Sequence, residues 1–132
     1  MELKGIHHIA FVVKDIDHFV DLFKEKLDMK LEKRFASTSR SFAFFRVGKT
    51  IIELICPFKP EDKYYPFMKK SGLGAIHHVS FAVEDMDKTF TEVISLGLKT
   101  IQSEPIIAPT GWKVLNLAPE SDHGLGLQLT EE

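Results

Sequence analysis

Two pairs of adjacent histidines stand in the same local sequence. Residues 5–17 read GIHHIAFVVKDID and residues 75–87 read AIHHVSFAVEDMD. An imidazole transfers protons near neutral pH and is a common metal ligand, so a histidine repeated in one frame could bring two such groups to one site. The repeat indicates an internal duplication, which any fold prediction must explain first.

Strand alternation decides which histidine of each pair could line that site, because successive side chains of a strand point to opposite faces. In the first copy, positions 9, 11 and 13 are bulky and favour a face covered by a helix, whereas Ala10 and Val12 share the other face with His8. The second copy follows the same pattern. We therefore predict that His8 and His78 line a site, and that His7 and His77 lie toward the bulky face, bonded to the backbone.

Glu53 is the third candidate functional residue, because it is a charged residue within the apolar run Ile51–Ile55. A carboxylate buried there without a partner would cost several kcal/mol, so it requires either water or a cation. The ending of the second copy places Gln128 where the first copy has Glu53. Two imidazoles, a carboxylate and an amide oxygen predict a site for one divalent ion at His8, Glu53, His78 and Gln128. Zinc, nickel, cobalt, manganese and iron(II) all suit it.

The elements needed to position these residues form two tandem βαβββ modules, over residues 5–57 and 75–130, joined by a connector at 58–74. In the second module we predict strands near 98–103, 112–117 and 125–130, with a loop at 105–111. Pairing of the module edges predicts an α+β fold with a curved, partly closed mixed sheet and helices on its outside. At 132 residues the chain fits a single domain.

Composition excludes several classes of function. The chain is 44% hydrophobic and 27% charged with a net charge of -2, which gives no electrostatic reason to bind nucleic acid or an anionic membrane. No apolar stretch approaches the length of a transmembrane helix. The single cysteine, Cys56, permits no internal disulfide and favours a reducing cytoplasm, so we expect a cytoplasmic protein with a small-molecule substrate.

The doubled module with His8, Glu53 and His78 resembles the vicinal-oxygen-chelate superfamily, which includes glyoxalase I, methylmalonyl-CoA epimerase, extradiol dioxygenases and resistance proteins for fosfomycin or bleomycin. The resemblance covers nearly the whole chain. Within the superfamily, the chain is most similar to methylmalonyl-CoA epimerase. Segments that carry this similarity are 52–57, 67–70, 76–78, 119–121 and 127–129.

The resemblance implies a metal-dependent isomerase or lyase that acts through a metal-stabilised enolate, with an acyl-CoA as its candidate substrate, in a homodimer. Two departures from the family pattern bear on this expectation. Gln128 stands where the family usually has a glutamate that moves the proton, and an amide has no useful basicity. Residues 61–64 also lack the Asp-Ser-Pro-Ile sequence common in the epimerases. Glu53, a bound water or a substrate group would then have to move the proton.

Two other functions fit the same residues. His8, His78 and Glu53 form a set of two histidines and one carboxylate, which also suits an iron(II) or manganese dioxygenase. A non-catalytic protein that binds a small molecule, in the manner of bleomycin resistance, is the third possibility. The metal set counts against it, because such proteins generally lack these ligands.

Overall fold

The computed structural model describes all 132 residues, and it confirms the predicted α+β class with two βαβββ modules and a mixed sheet. The chain forms two compact units. One comprises Met1–His7 with His78–Glu132, and the other His8–His77. The expectation of a single domain with module boundaries at 57 and 75 stays a prediction.

The chain contains eight strands and four α-helices. The first module contains β1 (Ile6–Val13), α1 (Ile16–Asp21) with a π-helical turn over Leu22–Lys26, β2 (Lys30–Ala36), β3 (Arg40–Val47) and β4 (Thr50–Pro57). Helix α2 (Tyr65–Lys70) lies in the connector. The second module contains β5 (Gly74–Ala82), α3 (Met86–Ser95), β6 (Ile106–Ile107), β7 (Lys113–Asn116), α4 (Pro119–Asp122) and β8 (Leu127–Glu131). The strand order is β2-β3-β4-β1 in the first module and β5-β8-β7-β6 in the second.

In the unit His8–His77, the bulky face of β1 is the face that a helix covers. Val13 packs with Ile16, Phe45 and Leu54, and the partly buried Phe11 joins this core. Apolar residues of α1 and the π-helical turn complete it, namely Phe19, Val20 and Phe23. The smaller side chains on the other face of β1, Ala10 and Val12, are fully buried with His8. The predicted division of the two faces is confirmed.

The second copy builds the same local structure in the other unit. Asp15 and Asp85 precede α1 and α3, and their carboxylates accept the backbone N–H of His18 and Lys88 at 3.3 and 3.1 Å. Such caps satisfy N–H groups that have no partner within the helix. Val83 then packs in a core with the following hydrophobic residues: Met86, Val93, Leu115 and Leu129.

The strand predicted at 98–103 is wrong. Only an isolated bridge joins Thr100 to Leu117, and the hydroxyl of Thr100 donates to the carbonyl of Gln102, where the backbone bends away. The second strand of this module is instead β6, within residues 105–111, where the sequence favours a loop. Ile106 pairs with Val114 in an antiparallel ladder.

No helix in the structure has the length and apolar character needed to cross a bilayer.

The start of β8 depends on one buried carboxylate at the end of α4. Asp122 accepts the backbone N–H groups of Gly124 and Leu127 at 2.9 and 2.8 Å, and the bond from Leu127 is the main reason that its pKa lies below the usual range. These bonds fix the turn immediately before Gln128.

Asp122→Ala should therefore destabilise the protein by about 1–3 kcal/mol, because two N–H groups lose their partner. Urea unfolding measures this, and Glu120→Ala, at an exposed position of the same helix, should change the midpoint little. Equal midpoints for both variants and the wild type would contradict this role of Asp122.

Candidate metal centre

Neighbouring parallel strands place His8 and Glu53 together. In the register of β1 and β4, His8 pairs with Ile51 and Ala10 with Glu53. His8 is 1% exposed and Glu53 5% exposed, and Nε2 of His8 lies 3.6 Å from Oε1 of Glu53. A carboxylate and an imidazole this close, and this well shielded from water, can share a proton or bind one cation.

Burial dominates the electrostatics of Glu53. It raises the pKa of the carboxyl to about 8, and the positive charge of Arg40 opposes that shift only in part. Without a further cation, Glu53 therefore holds a proton at neutral pH. A bound cation would replace that proton, which is why the residue suits a metal site better than a purely structural role.

His78 is the counterpart of His8 in the other unit, and it is buried as His8 and Glu53 are. Two imidazole nitrogens and one carboxylate oxygen form a donor set suited to zinc or to divalent iron, cobalt, nickel and manganese. The residues present therefore fit a divalent ion.

Gln128 occupies the position in the second module that Glu53 occupies in the first. Gln128 pairs with Ser80 across β8 and β5, just as Glu53 pairs with Ala10 across β4 and β1. The duplicated register confirms that the two positions are equivalent, although it does not test whether Gln128 binds a metal.

The amide of Gln128 is oriented by its neighbours on the sheet. Its Nε2 donates to Oδ1 of Asn116 at 3.0 Å, and its Oε1 accepts from the hydroxyl of Thr130 at 3.1 Å. That hydroxyl also lies 2.5 Å from the hydroxyl of Ser80, so Ser80 is the donor in this pair. The carbonyl oxygen keeps one lone pair for a further partner.

The other two histidines have their own surroundings within each unit. Nε2 of His7 lies 2.7 Å from a carboxylate oxygen of Glu132, and its ring meets that of Trp112 edge-on. His77 meets Tyr64 and Phe67 in the same manner, and burial followed by the charge of Lys63 lowers its pKa. The backbone bonds expected for these two histidines stay a prediction.

A group that the sequence reasoning missed lies in the same unit as Glu53. Buried Asp62 accepts hydrogen bonds from the Ser39 hydroxyl and from Nε of Arg40. The only signal in the sequence was the departure of residues 61–64 from the epimerase pattern. That departure did not indicate which side chains the loop would meet, because Ser39 and Arg40 lie at the start of a distant strand.

Comparison with known proteins shows the family to which the chain belongs. The model of the glyoxalase/bleomycin resistance protein/dioxygenase superfamily matches residues 7–115. The chain belongs to this superfamily. That range includes the two histidine pairs and Glu53 and ends before Gln128, so the superfamily match does not bear on the fourth predicted ligand.

Individual members of the superfamily are similar over almost the whole chain. Mitochondrial methylmalonyl-CoA epimerase of Dictyostelium discoideum is 26% identical over 129 residues, which are 96% of this chain and 78% of that protein. A hypothetical protein of Bacillus halodurans has a TM-score of 0.87 at 28% identity, covering 96% and 93% of the two chains. Methylmalonyl-CoA epimerase of Streptomyces coelicolor, in complex with 2-nitronate-propionyl-CoA, has a TM-score of 0.87 at 20% identity and 99% coverage of both.

The raised pKa of Glu53 predicts a pH dependence for the metal-free protein. The native state holds the proton up to about pH 8, whereas an unfolded glutamate releases it near pH 4.3. Stability should consequently fall as pH rises through this window, by at most about 1.4 kcal/mol per pH unit.

Glu53→Gln removes this titration, so the variant should lose less stability than the wild type between pH 5 and pH 8. Urea unfolding in the presence of a chelator measures the difference, with Glu61→Gln as an exposed control that should follow the wild type. A variant with the wild-type pH profile would show that Glu53 does not titrate in this range.

Proposed function

We propose that the protein is a metal-dependent isomerase that moves the α-proton of an acyl-CoA thioester, in the manner of methylmalonyl-CoA epimerase. The observation that carries the proposal is the buried pair of His8 and Glu53, whose Nε2 and Oε1 atoms lie 3.6 Å apart, in a chain whose relative in Dictyostelium is a methylmalonyl-CoA epimerase. The acyl-CoA ligand of the Streptomyces epimerase supports the substrate class. The homodimer expected from the resemblance remains part of the proposal.

In this proposal His8, Glu53, His78 and Gln128 hold one divalent ion. When bound, the ion supplies a Lewis acid that withdraws charge from a substrate carbonyl and so makes the neighbouring C–H more acidic. The two imidazoles are neutral donors, whereas Glu53 brings the single negative charge of the set. A glutamine in place of a second glutamate leaves the site one positive charge richer.

We assign the transfer of the substrate's α-proton to Glu53. Its carboxylate is buried and is the only basic oxygen of the four residues, since the amide of Gln128 has no basicity near neutral pH. Hydrogen exchange at the α-carbon needs one such base. Inversion of that carbon also needs a proton to be delivered to its opposite face, so exchange and inversion are measured separately.

The proposed ligands predict which histidines are required for metal binding. His8→Ala and His78→Ala should each lose the ion, because either change removes one of the two imidazole donors from the four-residue set. His7→Ala and His77→Ala should largely keep it. Elemental analysis after dialysis against zinc measures the content, and circular dichroism checks that each variant is folded. Metal loss that follows His7 and His77 instead would overturn the assignment of strand faces.

The reaction itself is tested by deuterium exchange. Metal-loaded wild-type protein should exchange the α-hydrogen of methylmalonyl-CoA in heavy water, and Glu53→Gln should lower that rate at least about a hundredfold, as expected for loss of a general base. Gln128→Glu should bind metal more tightly, because it adds a negative charge, and should exchange faster. No exchange by either the wild type or Gln128→Glu, both fully loaded with metal, would refute the epimerase proposal.

A further inference from the structure

The two equivalent sheet positions of the duplication have opposite surroundings. Glu53 pairs with Ala10 on β1 and with Phe44 on β3. Ile55 follows two residues later, on the same face of β4. All three neighbours are apolar and almost fully buried. The neighbouring positions on the sheet therefore offer the carboxylate of the first module no polar side chain.

The second module has a polar residue at each of these three positions. Gln128 pairs with Ser80 on β5 and with Asn116 on β7, and Thr130 follows it on β8. Ser80 and Thr130 are completely buried, where a polar group is costly unless it has a hydrogen-bond partner. All three positions are polar in the copy that has an amide in place of the carboxylate. This difference indicates that the three polar residues serve the amide.

An amide needs such neighbours in order to bind a cation, whereas a carboxylate does not. The two oxygens of an ionised carboxylate are equivalent acceptors, so either can face an ion. An amide has one oxygen, which accepts, and one NH2 group, which only donates. A glutamine is therefore a metal ligand only when its amide is held with the oxygen toward the ion.

A continuous chain of hydrogen bonds holds the amide of Gln128 in one orientation. The Ser80 hydroxyl donates to the Thr130 hydroxyl at 2.5 Å, and the Thr130 hydroxyl donates to Oε1 of Gln128 at 3.1 Å. Nε2 of Gln128 donates to Oδ1 of Asn116 at 3.0 Å. A reversed amide would set Oε1 against Oδ1 of Asn116, so all four side chains would have to turn together to restore the bonds.

We propose that Ser80, Asn116 and Thr130 are positioning residues, which hold the amide of Gln128 so that its carbonyl oxygen, and not its NH2 group, is offered to the ion. The bond from Thr130 uses one lone pair of Oε1 and leaves the other for the ion. The inference rests on the proposed function, which includes Gln128 among the ligands, and it assigns a role to three residues outside that set.

The zinc affinity of the full chain tests this role and is measured by competition with a chromophoric chelator. Thr130→Val removes the hydroxyl in the middle of the chain of hydrogen bonds. It should raise the dissociation constant for zinc at least about tenfold, as expected when a ligand loses the partner that orients it. Thr130→Ser keeps the hydroxyl and should match the wild type. Thr89→Val is the matched control, because it removes a buried hydroxyl of the same unit that makes no bond to Gln128.

The Gln128→Glu background separates orientation of the amide from a general structural effect. Either oxygen of the new carboxylate can face the ion, so adding Thr130→Val should raise the dissociation constant by less than about threefold. Asn116→Leu, at a half-buried position, breaks the other end of the chain of hydrogen bonds. It should show the same loss and the same rescue by Gln128→Glu. Circular dichroism checks folding, and Asn116→Leu provides the test if Thr130→Val does not fold.

Equal zinc affinity in Thr130→Val, Asn116→Leu and the wild type would overturn the positioning role. A loss that persists in the Gln128→Glu background, or that Thr89→Val shares, would also overturn it, because the effect would then be structural. In each of these cases the wild type still binds zinc. A wild-type protein that binds no zinc would refute the metal-dependent function and this inference with it, so the two failures are distinguishable.

Discussion

A buried carboxylate is the constraint on which the account of this site depends. Glu53 stands in the middle of an apolar strand, and burial raises its pKa to about 8. A lone ionised carboxylate in such a place is strongly destabilising, so it must either keep its proton or meet a positive charge. The nearby imidazole of His8 makes a divalent cation the partner that suits the position, and a cation bound there turns an unfavourable residue into a ligand.

The duplicated register explains how the sequence arrives at this arrangement. The pairing of Ala10 with Glu53 in the first module recurs as the pairing of Ser80 with Gln128 in the second. Duplication supplies two histidines and two acidic or amide positions without a new fold, and later substitutions can differentiate them. In the second copy, Ser80 and Thr130 replace apolar neighbours and add hydroxyl groups around Gln128, which fix the amide by hydrogen bonds.

Much of this could be predicted from the sequence, because the informative signals are local. Strand alternation correctly assigned His8 to the face opposite Phe11 and Val13, and the repeat gave the two βαβββ modules. Sequence-based prediction failed where contacts between residues far apart in the chain determine the structure. The second strand of the second module forms at Ile106–Ile107 rather than at 98–103, because pairing with β7 and a side-chain bond at Thr100 outweigh local propensity. The environment of Asp62 and Arg40 was equally beyond a local pattern, since their contact joins a loop to the start of another strand.

A crystal structure of the protein soaked in manganese or zinc, with anomalous scattering collected at the absorption edge of the metal, would test the central claim most directly. We expect one ion, bound at about 2.0–2.2 Å by nitrogens of His8 and His78 and an oxygen of Glu53. A fully occupied ion at His7 and Glu132, or a chain that binds no ion while Glu53 stays protonated between His8 and His78, would contradict it.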